Sequence, residues 1–143
     1  MVHALREIHR VLAPNGILID LRPLDERWPV EVTSARETHQ IGRLLDYEFA
    51  ITSDESANRA VEQVAAEGGF VREAGEFFPF FYYWDTPNEM QAYIEREWED
   101  YNGLEEETMQ AARSAWAVAD ADSRLRIRVK MLITRWRKPV NQN

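Results

Sequence analysis

The chain of 143 residues contains no cysteine. This absence removes disulfide bonds, thiolate zinc sites and cysteine nucleophiles together. No apolar run approaches the roughly 20 residues that a membrane-spanning helix needs, and the amino end lacks the basic and apolar regions of a signal peptide. We therefore expect a cytoplasmic protein. Apolar residues at 45% and aromatic residues at 11% are enough for a folded core, and the length predicts a single domain over residues 1–143.

The sequence also lacks the short motifs that carry well-known chemistries. It has no glycine-rich dinucleotide loop, no Walker loop, no His-Glu-x-x-His and no Gly-x-Ser-x-Gly. His3, His9 and His39 show no ligand spacing, and the many carboxylates fall on predicted solvated faces of helices. No metal site is expected, and the catalytic residues stay unknown.

Positive charge is scarce overall and concentrated near the carboxyl end. The formal net charge of −8 argues against a protein that coats nucleic acid, because phosphate binding needs a positive surface. One stretch without acids holds seven basic residues: Arg124, Arg126, Arg128, Lys130, Arg135, Arg137 and Lys138. The acidic counterpart lies in a predicted helical region: Glu95, Glu97, Glu99, Asp100, Glu105, Glu106 and Glu107. We expect these two sets to pair internally. The alternative is a basic groove for an anionic substrate or RNA.

Residues 5–19 are the most informative segment. Four apolar residues recur at helical spacing: Leu5, Ile8, Val11 and Leu12. This spacing predicts an amphipathic helix that Pro14 ends. Asn15-Gly16 suits the left-handed backbone of a tight turn before the apolar run Ile17-Leu18-Ile19. No Ser, Thr, Asp or Asn precedes the helix to cap its first amides, which favours an upstream part that is missing from the chain.

The segment from Leu5 to Gly16 resembles a segment of class I methyltransferases that use S-adenosylmethionine. Its sequence is Leu-Arg-Glu-Ile-His-Arg-Val-Leu-Ala-Pro-Asn-Gly. In those enzymes, Leu-x-Glu-x-x-Arg-Val-Leu-Lys-Pro-Gly-Gly forms the helix and turn before the fifth strand. Asn15 replaces the first glycine, a mild departure because Asn tolerates the same backbone. In that family the segment lies about halfway along, after the strands that hold the cofactor. The resemblance implies that the chain is similar to the C-terminal half of such an enzyme.

The family's cofactor-binding parts have no counterpart in this chain. They are a glycine-rich turn after the first strand, an acidic residue that ends the second strand, and an acidic or polar position near the fourth. The resemblance therefore implies no cofactor-binding residue here and no cofactor for this chain. S-adenosylmethionine would serve the full-length enzyme, and the isolated chain would be inactive.

The fold implied is α/β: a partial Rossmann-like methyltransferase sheet of about three to five strands, mixed, with an antiparallel last strand and flanking helices. Residues 29–34 and 39–45 predict a hairpin. Thr52 and Glu55 match a capping box and predict the start of a helix that Gly68-Gly69 ends. The stretch 67–70 resembles the helix-to-strand junction before the family's sixth strand.

Residues 77–84 include seven aromatic side chains. Their β-propensity predicts a strand, and Pro79 implies a break or an edge position. Burial of both faces in the core is the expected explanation, since a strand between helices buries both. The alternatives are the aromatic wall of a substrate pocket and a dimer interface.

A helical pattern over residues 86–119 predicts an inserted αα-hairpin. Thr86 and Glu89 form a capping box at its start, and Asn102-Gly103 breaks it in the middle. The hairpin is either a lid over a substrate or a cover for a sheet face. Alternating residues from Arg124 to Met131 then predict a strand that resembles the family's seventh, antiparallel between the fifth and sixth. From Arg135 on, and at 139–143 in particular, we expect a frayed tail.

The sequence offers five candidates for substrate binding: Arg22, Trp28, His39, Tyr83 and Trp84. Ligands of open α/β sheets bind outside the carboxyl ends of strands, which points to the loop 22–28. An ion pair of Arg22 with Asp25 in a solvated turn is the alternative. His39 is a candidate base or an ordinary surface residue, and Tyr83 and Trp84 belong to the aromatic stretch.

Three hypotheses follow. The chain is the substrate-side half of a small-molecule methyltransferase, which predicts an in-frame start codon upstream with a glycine-rich strand-turn-helix behind it. Alternatively it is a non-catalytic module that forms homodimers through the exposed edge of Ile17–Leu21. The third reading is an anion- or nucleic-acid-binding fragment that uses the basic strand.

Overall fold

The computed structural model describes residues 1–140 and shows an α/β fold with four helices and a five-stranded antiparallel sheet. The helices are α1 (Val2–Val11), α2 (Glu48–Ala66), α3 (Pro87–Glu97) and α4 (Glu106–Ala117). The strands are β1 (Ile17–Pro23), β2 (Pro29–Thr33), β3 (Thr38–Arg43), β4 (Leu45–Asp46), β5 (Val71–Trp84), β6 (Asn102–Gly103) and β7 (Arg124–Arg137). None of the helices in this part of the chain is long and apolar enough to cross a membrane.

β7 pairs with three of the other four strands of the large sheet. Its residues 131–137 pair antiparallel with β1, so that Ile17 lies opposite Arg137. Its residues 124–127 pair antiparallel with β2, so that Thr33 lies opposite Arg124. β5 also pairs with β7, and β3 pairs with β2. The predicted hairpin of β2 and β3 is confirmed.

The prediction of a mixed sheet is wrong, because the sheet is antiparallel. Each pair in it contains either β7 or the β2–β3 hairpin. The two strands of a hairpin are always antiparallel, and β7 is antiparallel to its neighbouring strands. β4 and β6 form a separate two-stranded ladder, in which Leu45 lies opposite Gly103.

The fold divides into two compact units. Unit 1 contains Met1–Leu24, Thr52–Phe78 and the chain from Met131 on. Unit 2 contains Asp25–Ile51 and Pro79–Lys130. α2, β5 and β7 each contribute residues to both units.

The core of unit 1 packs α1 and α2 against the sheet. Its buried residues are Leu5, Ala60, Val61, Val64, Phe70 and Trp136, with Leu18, Ile8 and Leu12 half-buried against them. The burial of Leu5, Ile8 and Leu12 accounts for the helical spacing of the apolar residues in α1. Apolar burial at roughly 25 cal/mol per Å² is the main stabilising term in such a core.

The chain after β7 is fixed to the end of α1. Lys138 Nζ donates hydrogen bonds of 2.7 Å to the carbonyl oxygens of both His9 and Leu12. These carbonyls are among those that a helix end leaves unpaired, and a cation at that end also suits the helix dipole. The prediction of a frayed tail from Arg135 on is therefore wrong for residues 135–138. The last three residues of the predicted tail, 141–143, lie outside the described part.

The burial pattern of β7 changes along the strand. Leu125, Ile127 and Val129 are buried, as the alternation predicts, whereas in unit 1 the buried residues are Leu132, Thr134 and Trp136. The alternation from sequence holds only in unit 2, because each unit buries its own set of side chains.

α2 begins four residues before the predicted start. It starts at Glu48, so Thr52 lies inside the helix and the capping box predicted there is wrong. The residue just before the observed start of α2 is Tyr47, whose amide donates to the carbonyl of Tyr101 at 2.9 Å. This contact between distant residues cannot be read from the local sequence around Thr52. The end of α2 is as predicted, with Gly68 at φ +79° in the left-handed region.

The two helices predicted within residues 86–119 are confirmed as α3 and α4. The capping box at α3 is present: Thr86 Oγ1 accepts from the Glu89 amide at 3.2 Å, and Glu89 Oε2 accepts from the Thr86 amide at 3.1 Å. Both helices contribute to the core of unit 2, whose most deeply buried side chains include Met90, Ile94, Met109, Leu125, Ile127 and Val30.

β5 differs from the prediction that both faces of the aromatic stretch are buried. Phe77 is 61% exposed, Phe80 47% and Tyr83 44%. Within residues 1–140, β7 is the strand that pairs with β5, so β5 lies at the edge of the sheet. Pro79 fits there because an edge position does not require its missing amide hydrogen.

The two capping-box sites give opposite expectations for one substitution. Thr86→Ala should lower the free energy of unfolding by about 1 kcal/mol, because it removes the side chain that caps α3. Thr52→Ala should change it by less than about 0.5 kcal/mol, because Thr52 is exposed inside α2 and alanine is a good helix former. Urea denaturation followed by circular dichroism measures both. A larger loss for Thr52→Ala would contradict the helix start at Glu48.

Candidate functional site: a charged cleft in unit 2

Unit 2 contains a cleft of about 400 Å³ between β3 and the amino end of α4. Its lining, which defines the β3–α4 cleft, is Arg27, Gln40, Ile41, Gly42, Arg43, Glu105, Glu107, Thr108 and Ala111. The volume lies within the range of small-molecule sites. The cleft is therefore the candidate binding site of unit 2.

The position of Arg27 depends on hydrogen bonds to its backbone. The Arg27 amide donates to Asp46 Oδ2 at 2.7 Å, and Arg43 Nη1 donates to the Arg27 carbonyl at 3.0 Å. Arg27 has φ of 46°, the left-handed region that costs a non-glycine residue about 1 kcal/mol or more. Asn102 Nδ2 in turn donates to Asp46 Oδ1 at 3.0 Å. The ladder of β4 and β6 thus fixes one wall of the cleft.

Gly42 and Thr108 bring β3 and α4 into close contact. A Cβ atom at Gly42 would lie 2.6 Å from Thr108 Cγ2 and 2.8 Å from Thr108 Oγ1. Only glycine leaves room for this approach. Thr108 is 7% exposed, and its hydroxyl makes no hydrogen bond within residues 1–140.

The charged groups of the cleft form no ion pairs within the described chain. The guanidinium groups of Arg27 and Arg43 and the carboxylates of Glu105 and Glu107 have no opposite charge within 4 Å among residues 1–140. Glu105 is the N-cap residue of α4 and makes no side-chain cap hydrogen bond. The cleft therefore offers two positive and two negative groups to a ligand.

A second charged centre of unit 2 is built around Glu31. Its side chain is 5% exposed and pairs with Arg126 at 2.7 Å and with Arg128 at 3.1 Å. Arg126 also lies over the ring of Phe81, 4.5 Å from the centroid. Burial works to lower the pKa of Arg126, but hydrogen bonds to Tyr83 and Glu31 outweigh it and the pKa is raised. A buried carboxylate with two cationic partners is a satisfied structural centre.

The basic strand pairs internally, as predicted, but not with the predicted acidic residues. The pairs are Arg124 with Asp85, Arg126 and Arg128 with Glu31, Lys130 with Glu26, and Arg135 and Arg137 with Glu73. These acids belong to neighbouring strands and their loops rather than to α3 and α4. A hydrogen bond from Arg137 is the main cause that lowers the pKa of Glu73. Because these acids neutralise the charge of β7, the strand no longer supports the hypothesis of a basic groove for an anion or RNA.

Arg22, the first sequence candidate, lies in unit 1 at the carboxyl end of β1. Its ion pair is with Asp20, at 3.2 Å, rather than with Asp25 as the alternative had it. Arg22 Nη2 donates to Asn58 Oδ1 at 2.7 Å, whereas Nη1 is buried without a hydrogen-bond partner.

Two other candidates for substrate binding, Trp28 and Trp84, both contact the ring of Trp98. Trp28 is buried and lies edge-on to Trp98 at 5.6 Å between centroids, and Trp84 is edge-on to the same ring at 6.3 Å. Tyr82 and Tyr93 contact Trp98 at 5.0 and 5.5 Å. Desolvation raises the pKa of Tyr93. Trp98 thus fills the centre of a packed aromatic cluster between β5 and α3.

The last two candidates are exposed in unit 2. His39 pairs with Glu37 at 3.0 Å, with both side chains more than 60% exposed. Tyr83 lies under Arg124, 5.7 Å from the guanidinium carbon. The structure does not bring either residue into the β3–α4 cleft.

The sequence analysis predicted only one part of the β3–α4 cleft, the loop 22–28. The stretch 22–28 was the predicted contact loop, and it supplies Arg27 to the cleft. The signal that could have found more is Gly42, a glycine inside a predicted strand, which marks a close approach of another element. No sequence pattern linked it to Thr108.

Metal and cofactor binding find little support in the geometry. Among residues 1–140 there is no group of three or more His, Asp or Glu side chains that could hold a metal ion. Within residues 1–140, none of the turns that lead from a strand directly into a helix contains a glycine; these turns are residue 47, residues 85–86 and residues 104–105. The residues present do not fit the glycine-rich cradle that S-adenosylmethionine would need.

The comparisons with known proteins add no family. No protein-family model matches the chain, and neither a curated protein nor a solved structure matches it significantly.

The Glu31 centre predicts a large effect of a small substitution. Glu31→Gln keeps the shape of the side chain but leaves Arg126 and Arg128 without their carboxylate, so unfolding free energy should fall by about 1–3 kcal/mol. Glu37→Gln is the matched control, since Glu37 is exposed and should change stability by less than about 0.5 kcal/mol. Urea denaturation measures both. Equal effects of the two variants would contradict a buried, satisfied Glu31.

Proposed function

We propose that the chain is the acceptor-side half of a methyltransferase that uses S-adenosylmethionine and acts on a small molecule. In this proposal the chain binds the acceptor and does not bind the methyl donor by itself. The observation that carries the proposal is the arrangement of β1, β7 and β5 in unit 1. It supports the resemblance that Leu5–Gly16 introduced.

Within unit 1, β7 has one of these strands on each side. β1 takes one edge of residues 131–137. Glu73 of β5 pairs with both Arg135, at 2.9 Å, and Arg137, so β5 lies along the same segment and must use the other edge. The family resemblance implies this order for its fifth, seventh and sixth strands, with the seventh antiparallel.

The turn between α1 and β1 also supports the resemblance. Asn15 has φ of 63°, the left-handed backbone that the family's glycine adopts at low cost. The Asn15 amide donates to the Lys138 carbonyl at 3.1 Å, and the Lys138 amide donates to the Gly16 carbonyl at 2.9 Å. The turn and the end of β7 thus hold each other in place.

Methyl transfer depends chiefly on holding donor and acceptor in line. The β3–α4 cleft of unit 2 is the part of the described chain that could hold an acceptor. S-adenosylmethionine would supply the methyl group, and the residues described here do not form its site. We assign no catalytic residue.

Two further parts of the proposal concern compartment and fold. We propose that the protein acts in the cytoplasm. We also propose that α3 and α4 form an insertion relative to the methyltransferase fold.

The proposal makes a sharp prediction about the donor. The chain alone should show no binding to S-adenosylmethionine or to its demethylated product in titration calorimetry, because it lacks the cradle residues. A protein extended by the codons that precede Met1 in frame should bind the demethylated product with roughly micromolar affinity. Micromolar binding by the chain alone, or no binding by the extended protein, would each contradict the proposal.

A second candidate, a non-catalytic homodimer, is favoured by the exposed edge of β1. Among residues 1–140, β7 is the strand that pairs with β1. Its apolar side chains Ile17, Ile19 and Leu21 are 41%, 51% and 54% exposed. An apolar edge strand is a template for pairing with another chain. The first proposal places the donor-side half at this edge, and a second copy could occupy it instead.

Self-association of the chain should depend on this edge. Light scattering after size exclusion should give a mass above the monomer's 16.8 kDa, and Ile19→Lys should restore the monomer, because a charge on an edge strand opposes pairing. Val118→Lys is the control, since Val118 is 87% exposed at the end of α4. A monomer at high concentration would exclude the homodimer, and equal effects of both variants would exclude this edge.

A further inference from the structure

We infer that the β3–α4 cleft binds a small zwitterion, a molecule with a carboxylate at one end and an amino group at the other. The carboxylate would meet Arg27 and Arg43, and the amino group would meet Glu105 and Glu107. The inference rests on the proposed function in naming this molecule as the acceptor. The binding itself requires no methyl donor.

The charges of the cleft select the class of ligand. The formal charges of the two arginines and the two glutamates cancel. A simple anion would satisfy the arginines and leave two acids beside its negative charge, and a simple cation would do the reverse. A zwitterion can satisfy both sets, with guanidinium groups on its carboxylate and carboxylates on its ammonium.

The acidic residues alone would not require a ligand. Glu105 and Glu107 stand at the amino end of α4, where the helix dipole favours negative charge. Arg43 Nη1 donates to the Arg27 carbonyl, but neither guanidinium has an ion-pair partner within the described chain. The strained backbone of Arg27, held by Asp46 and Arg43, keeps one of them at the cleft.

Thr108 supplies an independent observation. It is more than nine-tenths buried and lines the cleft, yet its hydroxyl has no hydrogen-bond partner in residues 1–140. A ligand carboxylate or amino group in the cleft could form a hydrogen bond with this hydroxyl. The Thr108 side chain packs against Gly42, where a Cβ atom would collide with it.

Binding can be tested with amino acids that differ only in the distance between their charges. Glycine, 4-aminobutyrate and 6-aminohexanoate are titrated into the isotope-labelled chain at low salt, and amide shifts are followed by NMR. At least one of them should bind with a dissociation constant of about 1 mM or lower, as expected for ligands of this size. Shifts should appear at Gly42 and Thr108.

Single-charge analogues are the matched ligands. Hexanoate and hexylamine have the chain of 6-aminohexanoate but one charged group each, so both should bind at least about fivefold more weakly than the best amino acid. If hexanoate or inorganic phosphate binds equally well, the cleft is an anion site and the inference is wrong. If hexylamine binds equally well, the arginines play no part and the inference is also wrong.

Variants test the residues in pairs. Arg27→Gln and Glu107→Gln should each weaken binding of the best amino acid by about fivefold or more. Asp46 and Arg43 contact backbone atoms of Arg27, so Arg27→Gln leaves that frame in place. Arg36→Gln and Glu106→Gln are the controls, because both residues are exposed and outside the cleft lining, and they should change binding less than twofold.

The outcomes separate this inference from the proposed function. No binding by any of the amino acids to a chain that folds normally by circular dichroism would overturn the zwitterion site. The methyltransferase proposal would survive that result, because its own test is donor binding by the extended protein. Binding that Arg36→Gln weakens as much as Arg27→Gln does would also overturn the inference.

Discussion

Pairing along β7 is the constraint on which the rest of this structure depends. β1 and β2 use successive segments of β7, and β5 pairs with it as well. Because β7 is the last strand of the described residues, its pairs with β1 and β2 join residues more than 90 positions apart in sequence, such as Thr33 and Arg124. Its charged side chains are matched by acids on the strands beside it, with Glu31 and Glu73 each serving two arginines. One strand therefore organises both backbone pairing and much of the electrostatics.

We propose a methyltransferase half from two features: the resemblance carried by Leu5–Gly16, and the pairing of β7 with both β1 and β5. In that proposal the chain binds the acceptor and not the methyl donor. Four charged groups of the β3–α4 cleft have no ion-pair partner among residues 1–140, and the Thr108 hydroxyl makes no hydrogen bond there. The proposed zwitterion site is built on these groups.

Local signals predicted the elements that depend on a few neighbouring residues. α1 ends before Pro14 and the left-handed Asn15, Thr86 and Glu89 cap α3, and Gly68 ends α2. Signals failed where tertiary contacts overrode them. Thr52 resembles a helix start, but the chain is already helical from Glu48. The aromatic stretch suggested a central strand, but β5 lies at the edge, because what surrounds a strand is decided by its partners and not by its own residues.

The sequence by itself determined the α/β composition, the hairpin of β2 and β3, and the helices α3 and α4. The tertiary structure alone decided the antiparallel sheet, the partners of the basic residues and the β3–α4 cleft. The reason is the range of the interactions. Caps, turns and apolar periodicity act over a few residues, whereas the cleft joins Arg27, Arg43 and Thr108 through the pairing of Leu45 with Gly103. No pattern within a short window contains that pairing.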